Sequence, residues 1–142
     1  MTLRSTRTRP RRTQHPMNVL LQQQAQAQSE SPSVPKNTEA SIAALVVSWL
    51  KSQGHDVYQE VGVYSGVADI VTLAPDGDVW IVEAKMGWSL DLLEQCCERR
   101  HEANRVFAAV PVSKTNHSGV FHELGIGVLI VDPKGYCSGA VD

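Results

Sequence analysis

The sequence predicts an α/β protein in which helices cover a mixed sheet, and three observations carry that expectation. Three strand patterns follow one another with only short turns between them. A helical pattern on either side of this meander supplies helices to cover the sheet. The apolar run Val106-Phe107-Ala108-Ala109-Val110-Pro111-Val112 then reads as a buried strand, reached by a crossover.

The first helix starts near Asn37-Thr38, either of which can act as N-cap, with Glu39 in the first turn where the helix dipole favours a carboxylate. Ile42, Leu45, Val46, Trp49 and Leu50 recur at helical spacing, and Gly54 is a natural stop. Glu39 belongs to the stripe of Ile42, Ala43 and Val46 and so faces the sheet edge. Strand patterns cover Asp56 to Tyr64, Val67 to Ala74 and Asp78 to Lys85. A second helix is expected from Ser89 as N-cap, with Asp91 in its first turn, to about Asn104. Leu90, Leu93 and Cys97 form one side of it, and Glu94, Glu98 and Glu102 the other. After the strand from Val106 come a polar loop from Ser113 to Ser118, a short helix from Gly119 to Leu124, and a last strand from Gly127 to Val131. Trp49 and Trp80 fall at core positions, and Trp88 is placed to pack on the second helix.

The chain of 142 residues suits one domain, residues 37–142, behind a tail, residues 1–36. The tail is Arg-, Gln-, Ser- and Pro-rich, has too few large apolar groups to offset its ordering entropy, and is expected to be disordered. A net charge of −2 hides an asymmetry. Arg4, Arg7, Arg9, Arg11 and Arg12 lie before any acid, whereas from Lys36 onward eight Lys or Arg face fourteen Asp or Glu. The basic arm fits a phosphate-neutralising element, an organelle transit peptide, or a leader upstream of a true start at Met17. No apolar run approaches the ~20 residues of a membrane span, and Val19-Leu20-Leu21 is too short for a secretory signal. Cys96, Cys97 and Cys137 fit neither a disulfide framework nor zinc spacing, so a reducing cytoplasm is expected. His101, His117 and His122 show no metal spacing and read as surface residues.

The chemistry concentrates between Asp69 and Glu83-Ala84-Lys85. A three-residue loop of Pro75, Asp76 and Gly77 suits a type I turn closed by a glycine at left-handed dihedrals. Ala74 then pairs with Asp78, and Asp69 falls opposite Glu83 with Lys85 pointing the same way. A two-residue Asp76-Gly77 loop would instead put Asp69 opposite Ala84. Clustered carboxylates need a counter-charge, and a divalent cation is the usual answer. Asp69, Glu83 and the Ala84 carbonyl are hard oxygen donors suited to Mg²⁺. Such an ion polarises a phosphate and activates water, while Lys85 stabilises developing charge. Glu39 from the first helix supplies a further acid, with Glu60 as its rival. The bland alternative is a solvated strand face with a cross-strand salt bridge.

Gly66-Val67-Ala68-Asp69-Ile70-Val71 and Trp80-Ile81-Val82-Glu83-Ala84-Lys85, behind a Glu-bearing helix, resemble the acidic motifs of the PD-(D/E)XK nuclease superfamily. The resemblance covers roughly residues 38 to 132. It implies the restriction-endonuclease-like fold and Mg²⁺-dependent hydrolysis of phosphodiester bonds in DNA, with Mn²⁺ as a substitute. Asp69 and Glu83 become metal ligands, Lys85 the catalytic lysine and Glu39 an additional acid. Ala68 stands where many members have Pro. Some members carry a Gln in the helix after the lysine, followed four residues on by Tyr; here Gln95 is present and Arg99 takes the later position. Gln95, Arg99 and Lys114 are expected to contact the nucleic acid. A homodimer is expected, because so small a domain has limited surface with which to grip a duplex. The rival classes are a nuclease-fold module that binds nucleic acid without cutting it, and a protein-interaction domain. Alanine at Asp69, Glu83 or Lys85 is expected to leave folding intact, because each removes crowded charge.

Overall fold

A computed structural model of the chain describes residues 38–132 and 134–139. The expected tail lies outside them. Helix α1 (Glu39–Ser52) leads into strands β1 (Asp56–Val63), β2 (Gly66–Leu73) and β3 (Val79–Ala84). Helix α2 (Leu90–Arg99), strand β4 (Arg105–Pro111), the one-turn helix α3 (Ser118–Glu123), strand β5 (Gly127–Asp132) and strand β6 (Tyr136–Ser138) follow. The sheet runs β1-β2-β3-β4-β5-β6. Its β3–β4 and β4–β5 pairs are parallel and its other pairs antiparallel, so the sheet is mixed, as expected. β6 was not foreseen; three residues carry too little periodic signal.

Local chemistry explains the element starts. The Thr38 hydroxyl accepts the Ser41 N–H at 3.1 Å while the Ser41 hydroxyl accepts the Thr38 N–H at 2.9 Å, a reciprocal cap that uses Ser41 in place of the usual Glu. Ser89 caps α2 by accepting the Leu92 N–H at 3.1 Å. The β2–β3 loop is the three-residue one. Ala74 N–H donates to Asp78 O at 2.8 Å, Gly77 takes φ +93°, and Asp76 Oδ1 accepts the Asp78 N–H at 3.0 Å.

Each sheet face has its own core. Ile42, Val46 and Leu50 of α1 pack on Ile70, Val82, Phe107, Leu129 and Val131. On the other face Leu92, Cys96 and Phe121 pack on Val106, Ala108, Val110 and Val128. A fully buried side chain the size of Leu50 or Phe107 contributes about 1.5–3 kcal/mol. Trp80 is half-buried between His55 and Phe107, with ring centroids 4.6 and 4.7 Å away. Trp88 packs on Phe121 and donates its indole N–H to Thr115 O at 3.0 Å.

Helix α2 departs from expectation twice. Its inward positions are Leu92, Cys96 and Arg99, whereas Leu90 is 69% exposed. It also ends at Arg99, five residues early. Asn104 exchanges hydrogen bonds with Val79, donating its N–H to Val79 O at 2.9 Å and accepting the Val79 N–H on Oδ1 at 2.8 Å. That clasp sets where β4 enters beside β3, and a longer helix would overshoot it.

Gly127 sits against Phe107, where an added Cβ would lie 2.4 Å from the ring. Phe107 is fully buried and cannot yield. Gly127→Ala should therefore destabilise the chain by about 1–3 kcal/mol in a denaturant titration. His55 is pushed below its ordinary 6.5 by burial, only partly offset by the Asp76 charge, while its Nδ1 lies 3.2 Å from the Thr72 hydroxyl. The unfolded chain takes up that proton first as pH falls, so the contribution of neutral His55 to stability should be lost below about pH 6.5. His55→Gln should flatten the slope of melting temperature against pH in that range.

Candidate active site at the opening of the sheet

Both ladders beside β2 break at Asp69. Toward β3, pairing runs from Leu73–Val79 to Ile70–Val82 and stops. Toward β1, it passes from Gln59–Ile70 to Val61–Ala68, skipping Glu60 and Asp69. Glu60 takes φ +50°, a left-handed conformation that costs a non-glycine residue about 1–3 kcal/mol. The Asp69 carboxylate enters the gap and accepts the Ala84 N–H at 2.8 Å through Oδ2, satisfying a backbone donor that has left the ladder. A cleft of about 300 Å³ opens there, lined by Glu39, Ala40 and Ala43 of α1 and by Gln59, Glu60, Asp69 and Ala84. Both rival acids, Glu39 and Glu60, reach it.

The β2–β3 register is the one the three-residue loop sets, but pairing ends at Ile70–Val82, one step short of Asp69 and Glu83, and Glu83 projects from β3 toward α2. Its carboxyl is held above its ordinary value by burial first and by the charge of Asp69 and a hydrogen bond with it; the Arg99 hydrogen bond opposes this. The charge of Asp69 thus acts on Glu83 from the neighbouring strand. Arg99 Nε donates to Glu83 Oε1 at 2.7 Å, and the two side chains are only 5% and 3% exposed. Arg99 Nη2 donates to Val67 O at 2.9 Å and Nη1 to the Ser65 hydroxyl. Ser65 in turn gives its N–H to Glu102 Oε1 at 2.8 Å and its hydroxyl to Glu102 Oε2 at 2.6 Å.

Lys85 leaves the end of β3 and holds Nζ 3.7 Å from Glu39 Oε1, an exposed and therefore weak ion pair at the rim of the site. Its backbone N–H donates to Ala109 O at 2.9 Å, which ties the rim to β4. Gln95 is half-buried on α2, and Lys114 is exposed in the loop after β4, near the residue that binds Trp88. Arg99 corrects the expectation of a substrate contact: it is 4% exposed and its guanidinium is occupied by Glu83, Ser65 and Val67. Counting it as a surface cation ignored that a buried carboxylate demands a partner. Cys96 is buried and its thiol is pushed up to about 12, chiefly by burial, so it is an unreactive core residue.

Among the described residues no group of three or more His, Cys, Asp and Glu side chains stands ready to cage an ion. Mg²⁺ does not require one, since it commonly uses one or two carboxylates and completes its shell with water and phosphate. Asp69, which accepts the Ala84 N–H, and Glu83, the residue before Ala84, are a donor set of that type.

No family model matches the chain, and no curated protein matches it significantly. Among solved structures it is similar to EndoMS in complex with double-stranded DNA, at 16% identity and TM-score 0.56 over 74% of this chain and 48% of that one. It is also similar to a repair endonuclease from Pyrococcus abyssi, at 18% identity and TM-score 0.55 over 71% and 50%. A third is SPO1766, a protein of unknown function from Silicibacter pomeroyi, at 20% identity and TM-score 0.53 over 71% and 67%. The fold is the restriction-endonuclease-like one. The chain spans about half the length of the two endonucleases.

The buried Arg99 overturns the expectation that alanine at Glu83 is harmless. Glu83→Ala strands a guanidinium and should cost about 3–5 kcal/mol in urea unfolding. Glu83→Gln, which keeps an acceptor for Arg99, should cost clearly less. Asp69→Ala orphans the Ala84 N–H, at about 1–3 kcal/mol.

Proposed function

We propose that the chain is a Mg²⁺-dependent DNA nuclease of the PD-(D/E)XK type, with Mn²⁺ able to substitute. One observation carries the reading: Asp69 and Ala84 line a cleft with Glu39, which pairs with Lys85, while the charge of Asp69 acts on Glu83 of the neighbouring strand. The endonuclease identity of two structures with this fold, one of them in complex with double-stranded DNA, supports DNA as the substrate.

Asp69, Glu83 and the Ala84 carbonyl would hold the cation. The bound ion supplies Lewis acidity toward a phosphate oxygen and lowers the pKa of an associated water. The chain's own residues do the rest. Lys85 brings a positive charge to the rim, where it stabilises negative charge developing on the phosphate and orients the attacking water. Glu39 keeps that ammonium on station and, with Glu60, offers acceptors for water in the cleft. Arg100, which also donates to Leu124 O at 2.9 Å, Arg105, which also pairs with Asp78 at 3.5 Å, and Lys114 would contact phosphates. A homodimer would present two such sites to the two strands of a duplex. An intracellular setting is proposed with this function, supported by three free cysteines.

A second reading has one observation in its favour. Arg99 already neutralises Glu83, as a metal would, and a nuclease fold that binds DNA without cutting it has no need of a cation.

Cleavage of duplex, nicked and single-stranded DNA by purified protein separates the two. The nuclease should cut with Mg²⁺ and stop with chelator. Lys85→Ala should lose about 10²- to 10³-fold in rate and should not recover at high Mg²⁺, because the missing group is not a metal ligand. Mobility shifts without any cutting under Mg²⁺ or Mn²⁺ would establish the binding module instead.

A further inference from the structure

Resting on the nuclease reading, we propose that Arg99 is a positioning residue for the metal-binding carboxylate, holding Glu83 in the orientation in which it meets a cation beside Asp69. A counter-charge alone needs one contact. Arg99 makes three in three directions: to Glu83 Oε1 at 2.7 Å, to Val67 O at 2.9 Å and to the Ser65 hydroxyl. The planar fork is thus pinned at both ends, and a glutamate with three rotatable side-chain bonds is fixed by a donor that cannot itself swing away. Glu83 Oε1 is committed to Arg99, so a cation beside Asp69 would take the other carboxylate oxygen.

The far end of the fork is braced as well. Glu102 accepts both the N–H and the hydroxyl of Ser65, at 2.8 and 2.6 Å, so the turn between β1 and β2 is fastened to the end of α2. Gly66 in the same turn takes φ +137°, a backbone conformation that side-chain-bearing residues rarely adopt. The brace therefore runs from an exposed carboxylate, through a turn and a buried guanidinium, to the acid that takes the metal. Partners of this kind, which orient a ligand without touching the ion, typically alter metal affinity by about 10- to 100-fold when replaced.

The test is a calorimetric titration of the full chain with Mn²⁺ alone, on wild type, Arg99→Lys and Glu102→Gln, with folding followed by thermal denaturation. Arg99→Lys keeps the charge and loses the fork, so Mn²⁺ affinity should fall by about 10- to 100-fold. Its DNA cleavage should recover as Mg²⁺ is raised, in contrast to Lys85→Ala. Glu102→Gln changes an exposed contact, and weaker Mn²⁺ binding in that variant supports the brace even where Arg99→Lys does not fold. A folded Arg99→Lys with wild-type affinity reduces Arg99 to a counter-charge and overturns the proposal, as does unchanged affinity in Glu102→Gln when Arg99→Lys is unfolded. Wild type that cuts DNA while either result holds sinks this inference alone. Wild type that takes up no Mn²⁺ and cuts nothing sinks the nuclease reading with it.

Discussion

A carboxylate buried beside another carboxylate is the constraint around which this domain is arranged. Glu83 stands in the middle of the sheet, almost fully enclosed, next to Asp69. Leaving it unpaired would cost several kcal/mol, and placing a guanidinium on it requires that α2 deliver Arg99 to one defined point. The inward turn of the last residue of α2 and the attachment of the β1–β2 turn follow from that delivery. Cys96, one turn earlier on the buried side of α2, packs in the same core as Val106 and Ala108 of β4.

The second determinant is a defect. An unbroken ladder through Asp69 would keep β1, β2 and β3 shut and leave no space between α1 and the sheet. Pairing fails on both sides of that residue, and its carboxylate takes over an amide that the ladder has released. The cleft is the space left where neighbouring strands part. The strained Glu60 backbone is the cost of that separation, borne at the site itself, where strain of this kind tends to gather.

What was legible in the sequence was what short-range chemistry dictates. Thr38 and Ser89 announce helix starts, Pro75-Asp76-Gly77 specifies a loop length, and the loop length specifies which residue Asp69 meets. Arg99 was not legible as a buried group. Periodicity counts an arginine as polar, so the apolar Leu90, Leu93 and Cys97 define the expected stripe; Leu93 and Cys97 do pack on the core, but Leu90 is exposed and the deepest positions are Leu92, Cys96 and Arg99. Its partner lies sixteen residues away on another element, and only the fold brings the two together. The departure of Glu60 from extended geometry had no local marker either, since nothing in Gln59-Glu60-Val61 resembles a turn.

The kink at Glu60 also bears on how this chain can meet others. β1 is an outer strand of the sheet, and outer strands are templates on which another chain can continue the hydrogen-bonded row. A left-handed residue in its middle interrupts the regular row of outward amides and carbonyls, and the side chain there is an exposed carboxylate. A strand laid along β1 would lose its pairing halfway and meet a negative charge at the break. The feature that opens the cleft thus also guards this edge, and a second copy of the chain would have to dock on a different surface.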